Sequence, residues 1–584
     1  MSKETNSHIN DNIIFRKSAP INDKGSRYKG FKQETIVLPK GYIMEEGYML
    51  LECDVIFERD VPVKLRDGVI IYTDIFRPTY AENIPAIVAW SPYGKNGSGN
   101  QNLDTFPGML GIDQKSISGL MKFEGPDPGY WCSKGYAVCN PDSRGTFMSE
   151  GNIYFWGAQD GQDGYDYIEW LAEQKWCNGK IGLSGNSWLS VSQWFIAAEQ
   201  PPHLAAIAPW EGHSDLYRDD LLRGGIPNQN FNEDILTHLY GNNNIEDMPS
   251  MVEKYPFMNE YWEGKIPKLQ NIITPAYVVA SFSNVIHTNG TFKAFRNIAS
   301  KEKWLRVHNE LEWTDYYKKD SKQDLKKFFD YYLKGMENDW NKTPYIRTSV
   351  LDLGGEDIVN RVENEFPLKR TEYKKYYFDS KIGRMTLNKV NDESSISYNT
   401  DDSKGEISFT MNFDKETEIL GYIKLKLWVE SLRADDMDIF AYVQKLDSKG
   451  NQLFHKVVKF DDLELVAIYE NSGMNSIKYE GPNGRLRVSL RHIDKEKSTE
   501  AETYLTFDRK ELLKPGEIVP VEIPLWPTGM IFHKGEKLRV VIAGYNILGS
   551  PLPMIKDVQP NNQGDHIIHT GGKYDSYIQL PVTK

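Results

Sequence analysis

Lys180-Ile-Gly-Leu-Ser-Gly-Asn-Ser187-Trp-Leu-Ser-Val-Ser-Gln-Trp194 is the stretch on which the reading of this chain turns. An apolar strand runs through a glycine into a serine and then directly into a helix, the order of a nucleophile elbow. The bend is sharp, so Gly185, two residues before the serine, avoids a Cβ clash. The helix amino terminus behind Ser187 stabilises developing negative charge, and the amide of Trp188 is positioned to point into an oxyanion hole. Leu189 stands where a second glycine is expected. A Gly-x-Ser tripeptide alone is more often an ordinary turn, and it is the strand before it and the helix after it that favour the elbow.

Around this stretch, short apolar runs alternate with helix-like segments, the habit of βα units about a mainly parallel sheet. The runs are Gly68 to Phe76, Pro85 to Trp90, Gly135 to Asn140, Lys180 to Ser184, Leu204 to Ala208, Pro275 to Phe282 and Lys303 to Val307. Tyr165, Ile168, Leu171 and Ala172 predict one buried face of a helix over 163–174. Leu325, Phe328, Phe329, Tyr332 and Leu333 predict a second helix over 323–334, with Gly335 as a left-handed cap. Residues 213–270 break the rhythm with an acidic, aromatic stretch read as a helical cap. After about 341 the period becomes two, as in Ile423, Leu425, Leu427 and Val429 and again in Leu486, Val488 and Leu490. That period predicts a β-sandwich. Residues 1–45 are polar and aperiodic and read as a surface arm. The expected division is therefore 1–45 arm, 46–212 and 271–340 α/β domain, 213–270 cap, and 341–584 all-β domain.

The 584 residues carry a formal charge of −13, with 40% hydrophobic and 12% aromatic residues, which describes a globular chain rather than a disordered one. The acidic balance disfavours nucleic acid and anionic membranes as partners. Four cysteines without CxxC spacing and eleven histidines without an HExxH pattern indicate neither disulfide framework nor metal site. No P-loop or dinucleotide fingerprint is present, so no cofactor is expected. The amino terminus lacks a signal-peptide core and no apolar span of membrane length occurs, which places the expected location in the cytoplasm. Homo-oligomerisation stays open.

A serine nucleophile needs a base, an acid to orient that base, and oxyanion donors. Tyr93, in Ser91-Pro-Tyr-Gly-Lys95 after the run Pro85 to Trp90, is the candidate second donor beside Trp188. In this fold order the acid and the histidine follow the serine, each after a later strand. His308, ending Trp304 to Val307, is the leading base, and His287 the alternative. The acid position falls on Asn284, which has no carboxylate, so Glu310, Glu312 and Asp315 enter as replacements. Asp142-Ser-Arg144-Gly145 reads as a buried ion-pair turn.

The sequence resembles the CocE/NonD hydrolases, the serine esterase and acylase family that includes cocaine esterase and is related to X-Pro dipeptidyl-peptidases. The resemblance rests on Arg66-Asp-Gly68 with Asp74 and Arg77-Pro78, on the SPYGK and DSRG motifs, on 168–193 and on 513–528. It implies an α/β-hydrolase domain with an inserted helical cap and a carboxy-terminal jelly-roll domain packed beside the site. By the same resemblance Ser187 is the nucleophile, Tyr93 and the Trp188 amide form the oxyanion hole, Asn284 replaces the family's Asp, and His308 offers the base. The implied substrate is a small-molecule ester or a short peptide, cleaved through an acyl-enzyme. The competing expectation, motivated by Asn284, is a weakened hydrolase fold serving as a binding or scaffold module. A weaker one makes the sandwich a carbohydrate binder.

Overall fold

The structure, a computed structural model, describes residues 12–99, 101–460, 462–550, 552 and 555–584. The first eleven residues of the expected arm lie outside these.

An eleven-stranded sheet organises the first part of the chain. Its strands are β2 (Glu34–Leu38), β3 (Val55–Lys64), β4 (Ile70–Pro78), β5 (Ile84–Val88), β6 (Ala137–Asp142), β7 (Cys177–Asn186), β8 (Leu204–Trp210), β10 (Ala276–Ser281), β11 (Lys303–His308), β12 (Ile346–Val350) and β13 (Ile358–Glu363). Two short strands outside it, β1 (Phe15–Lys17) and β9 (Asn244–Glu246), pair antiparallel with each other. The order across the large sheet is β13-β12-β11-β10-β8-β7-β5-β6-β4-β3-β2. The block from β6 to β12 is parallel, and the remaining edge strands pair antiparallel. Helices cover both faces of the parallel block, so β5 and β10 are buried along their whole length and read as unbroken apolar runs.

The helix Trp188–Ala198 lies at the centre of the fold, buried at every position except Ala198. The helix Ala158–Ala172 packs against it through Gly164, where a Cβ would come within 2.3 Å of Ile196. The helix Lys319–Lys334 ends on Gly335 in the left-handed region, φ 65°, as its sequence predicts. Arg144 forms the expected ion-pair turn, holding Asp163 through two 2.7 Å bonds and reaching Asp67 at 2.8 Å.

Downstream, a β-rich domain is built on a twelve-stranded sheet. Its spine is the strand Thr417–Ser431 paired antiparallel with Val519–Phe532, and the alternation of Ile423, Leu425, Leu427 and Val429 faces its core. The two domains are joined by backbone: Leu351 donates to Gly529 O and accepts from Ile531 N, both at 2.9 Å. One continuous hydrophobic core crosses this junction.

Several boundaries differ from expectation. The arm is partly sheet: β2 extends the antiparallel edge and β1 clasps the insertion through β9. Sequence period misses these strands because edge strands bury little. The α/β sheet does not stop at 340, since β12 and β13 carry it to Glu363. The insertion is mixed, combining the π-helical turn Leu216–Leu221 and the helices Asn230–Thr237, Met248–Lys254 and Glu260–Glu263 with β9. Leu486 lies in the strand Asn483–Arg487, but Val488–Leu490 is a 3-10 turn.

Candidate active site

Ser187 links β7 to the helix Trp188–Ala198 with φ 52° and ψ −118°, a conformation that L-residues rarely adopt and that marks a strained, presented side chain. The neighbours explain the local glycines. A Cβ on Gly185 would sit 2.6 Å from the Leu189 Cβ, so glycine before the serine is obligatory once leucine follows it. The approach normally eased by a glycine after the serine is eased from the other side. Gly212, after β8, passes so close to Ser190 that its own Cβ would lie 2.7 Å from the Ser190 Cβ.

Three glutamates hold the bend through their main chains. Asn186 N donates to Glu124 O (3.2 Å), Asn186 Nδ2 to Glu312 O (3.0 Å) and Ser187 N to Glu211 O (2.9 Å). The elbow is therefore fixed by three loops distant in sequence. As the first residue of its helix, directly after Ser187, Trp188 has an amide without an intrahelical acceptor.

Ser187 opens on a cavity of ≈ 120 Å³ whose wall includes Tyr93, Glu124, Asn284, His287, Glu312 and Trp313. Tyr93 is buried against Trp188 and Phe123, with ring centroids 5.8 and 5.7 Å away. Burial, aided by Glu124, drives its phenol well above the usual value, and its contact with the Ser187 side chain works the other way. A phenol kept protonated is a donor, which is what an oxyanion requires. Its loop is braced by Lys122, which is wholly buried and donates to the carbonyls of Ser91 (2.7 Å) and Pro141 (2.5 Å).

The structure brings Ser187, Tyr93, Trp188, Asn284 and His287 together and leaves His308 out. His308 does not reach the cavity. Its Nε2 sits 2.6 Å from Glu211 Oε1 and 3.8 Å from Asp315, and its Nδ1 accepts from Glu310 N at 3.2 Å. The sheet register explains this. Trp210 is level with Val279 and Ser281 with His308, so the residue that ends β11 projects beside the residue that follows β8. Asp315, one replacement acid, is likewise taken, forming a buried two-point pair with Arg306.

His308 is thus a structural ion-pair partner. Burial lowers its pKa, yet Asp315 and Glu211 outweigh burial and leave it raised. A raised folded value means the stabilisation is complete below the unfolded imidazole's value of about 6.5 and is lost as pH rises through the folded value. His308→Gln should therefore cost about 3 kcal/mol near pH 6 and flatten the loss of stability toward alkaline pH, read as denaturant midpoint against pH.

Asn284 does not orient an imidazole. It accepts at Oδ1 from the amides of Ile286 (2.8 Å) and His287 (2.9 Å) and donates from Nδ2 to Glu312 Oε2 (3.1 Å). The same Glu312 oxygen lies 3.8 Å from His287 Nε2. Burial is the leading influence on both groups. It lowers His287 well below its ordinary value with help from His213, and raises Glu312 well above its own with help from Glu211 and Glu124. Glu124 is also raised, to about 8, by burial, against a hydrogen bond from Trp313 Nε1 at 2.8 Å. Burial thus disfavours the charged forms of both Glu312 and Glu124 beside the elbow. Sequence reasoning named Glu312 only as a partner for His308 and missed Glu124 and Glu211. Glu211 was recoverable, because it follows a parallel strand at its carboxyl end, where such sheets place their chemistry.

A mainly parallel sheet, a strained serine between strand and helix, and a buried phenol and open amide beside it define the α/β-hydrolase class. Comparison with known proteins narrows it. The profile of the X-Pro dipeptidyl-peptidase (S15 family) matches residues 67–248, and that of the X-Pro dipeptidyl-peptidase C-terminal non-catalytic domain matches 338–579. A CocE/NonD family hydrolase from Staphylococcus aureus is similar with TM-score 0.82 and 36% identity, over 91% of this chain and 94% of that one. Cocaine esterase from Rhodococcus sp. (strain MB1 Bresler) is 33% identical over 159 residues, which is 27% of this chain and only 24% of the esterase. An aminopeptidase from the marine sediment archaeon Thaumarchaeota archaeon shares the fold, with TM-score 0.66 and 14% identity over 94% and 99% of the two chains. The chain belongs to the CocE/NonD hydrolase family, as its motifs implied.

Proposed function

We propose that this protein is a serine hydrolase that cleaves an ester or amide of a small molecule or short peptide through an acyl-enzyme. The observation that carries the reading is Ser187, held at φ 52° between strand and helix and opening on one cavity with Tyr93, His287 and Glu312. In this mechanism the Ser187 oxygen attacks the carbonyl carbon while His287 takes its proton. The carbonyl oxygen becomes an oxyanion received by the Tyr93 hydroxyl and the Trp188 amide. Collapse breaks the bond to the leaving group, which departs with the proton from His287. Water, deprotonated by His287, then attacks the acyl carbon, and Ser187 regains its proton as the acid leaves. Glu312, steadied by Asn284, takes the orienting role expected of the residue at 284.

Residues 46–212 and 271–363 carry the chemistry in this reading, while the insertion and the β-rich domain wall the cavity through Phe231, Ile235, Val457 and Met474. Phe106, Phe123 and Trp313 suit an apolar or aromatic acyl group. That one relative bears the name cocaine esterase supports an ester as substrate. The acidic chain with four free thiols supports a cytoplasmic location. No helix among the described residues is long and apolar enough to cross a membrane.

A fluorophosphonate probe tests the reading: it should label the wild type at Ser187 and leave Ser187→Ala unlabelled, and an unlabelled wild type would count against it. Tyr93→Phe, which removes one oxyanion donor, should lower kcat on an activated ester by about 10²- to 10³-fold with little change in KM.

A further inference from the structure

Beside the catalytic cavity lies a second one of ≈ 100 Å³, and the two share Phe231, Val285 and Ile286 as common wall. It sits between the insertion and the β-rich domain, and its character is different. Arg223 and Arg485 both face it, brought together because Gly224 lies directly against the main chain of Arg485. Arg223 donates to Asn483 O at 2.5 Å and lies over the Trp526 ring at 3.8 Å, which fixes the plane of its guanidinium. Arg485 donates its Nε to Arg223 O at 3.0 Å. Among the described residues neither guanidinium forms an ion pair with a carboxylate, whereas Arg487, two residues beyond Arg485, holds Asp438 at 2.8 Å. Burial and mutual repulsion lower Arg223 to about 9, and burial lowers Arg485 to about 10 against the opposing pull of Asp220 and Asp557.

A third donor points the same way. Tyr442 is 2% exposed and lines the cavity, and its hydroxyl has no hydrogen-bond partner. A buried hydroxyl left unpaired is costly unless something fills the space before it. Three carboxylates also border the cavity, and each is already engaged. Asp219 accepts from Asn289 Nδ2 and from the amides of Ser214 and Asp215, Asp220 from Asn232, and Glu480 from Gln452. What the cavity offers a ligand is two guanidinium groups that are bonded to carbonyls but to no carboxylate, and a phenol with no partner.

We propose that this second cavity binds an oxyanion, a carboxylate or phosphate group, through Arg223, Arg485 and Tyr442, next to the acyl site. Guanidinium groups match the geometry of both anions and hold them most strongly where water is excluded. The apolar partition of Phe231, Val285 and Ile286 makes the natural source the far end of the substrate itself, with the scissile carbonyl at Ser187. The inference rests on the proposed hydrolase chemistry only for that choice of source.

The test has two arms. In the first, p-nitrophenyl esters of ω-carboxy acids of increasing chain length are compared with their methyl-capped neutral counterparts. The wild type should favour the charged ester at one chain length by about 30-fold in kcat/KM. Arg485→Gln should abolish that preference and leave the neutral ester unchanged, with Tyr442→Phe losing part of it. In the second arm, glutarate and inorganic phosphate are titrated calorimetrically into Ser187→Ala and into Ser187→Ala with Arg485→Gln. Binding to the former and not to the latter sustains the site even if no ester turns over, so failure of the hydrolase reading is seen separately. A charged-ester preference assigns the anion to the substrate, and anion binding alone assigns it to a free ion. Absence of both overturns the proposal, as does an Arg485→Gln variant that weakens charged and neutral esters equally.

Discussion

Ser187→Ala should lower kcat on an activated aryl ester by about 10⁴-fold or more while leaving the melting temperature close to that of the wild type. The asymmetry follows from the elbow. The strain at position 187 belongs to the backbone, which alanine inherits unchanged, and the bonds holding the bend are made by Ser187 N and by Asn186 rather than by the lost hydroxyl. What disappears is the atom that forms the acyl-enzyme in the proposed mechanism. A pre-steady-state burst of p-nitrophenol, expected from the wild type, should vanish in the variant. Turnover within tenfold of the wild type, or a burst that survives, would mean that another nucleophile does the work.

The second large effect concerns the base. His287→Ala and Glu312→Gln should each reduce kcat by about 10³- to 10⁴-fold, whereas His308→Gln should act on stability. The pH dependence separates His287 from Glu312. In the proposed mechanism the productive form carries Glu312 as carboxylate beside a neutral imidazole. Burial, with Glu211 and Glu124 nearby, raises Glu312 well above an ordinary glutamate. The productive form therefore accumulates only as pH rises through that raised value, and the acid limb of kcat/KM should stand on the alkaline side of the usual carboxylate range. In Glu312→Gln the residual activity should lose this limb. A profile unchanged by Glu312→Gln, or full activity in His287→Ala, would remove the pair from the mechanism.

The legibility of this site in the sequence follows a physical divide. The elbow could be read because its requirements are local: a strand, a glycine forced by Leu189 two residues after the serine, and a helix, all within fifteen residues. Tyr93 and Asn284 could be placed because each follows an apolar run that is a parallel strand, β5 or β10. His308 ends its strand as the sequence suggests, yet nothing in the sequence shows which way that end projects. The chain first lines the cavity at Glu310, two residues further on, and the strand register commits His308 to Glu211. Glu124 had no signal at all, lying in the long irregular connection between β5 and β6, where no period exists to place a side chain. The domain boundary slipped for a related reason. β13 alternates weakly and keeps Val359 and Val362 exposed, so nothing in its pattern marks it as the last strand of the first sheet.

The main-chain ties of the elbow also bear on when reactivity arises. One of them joins residues 126 apart in the chain, from Asn186 to Glu312, and so forms only after the intervening strands have docked. A nascent or partly unfolded molecule carries the serine but not the bend that exposes it. Hydrolytic power should accordingly switch on late in folding and be lost early in denaturation, which would spare the cell's own esters from half-made copies.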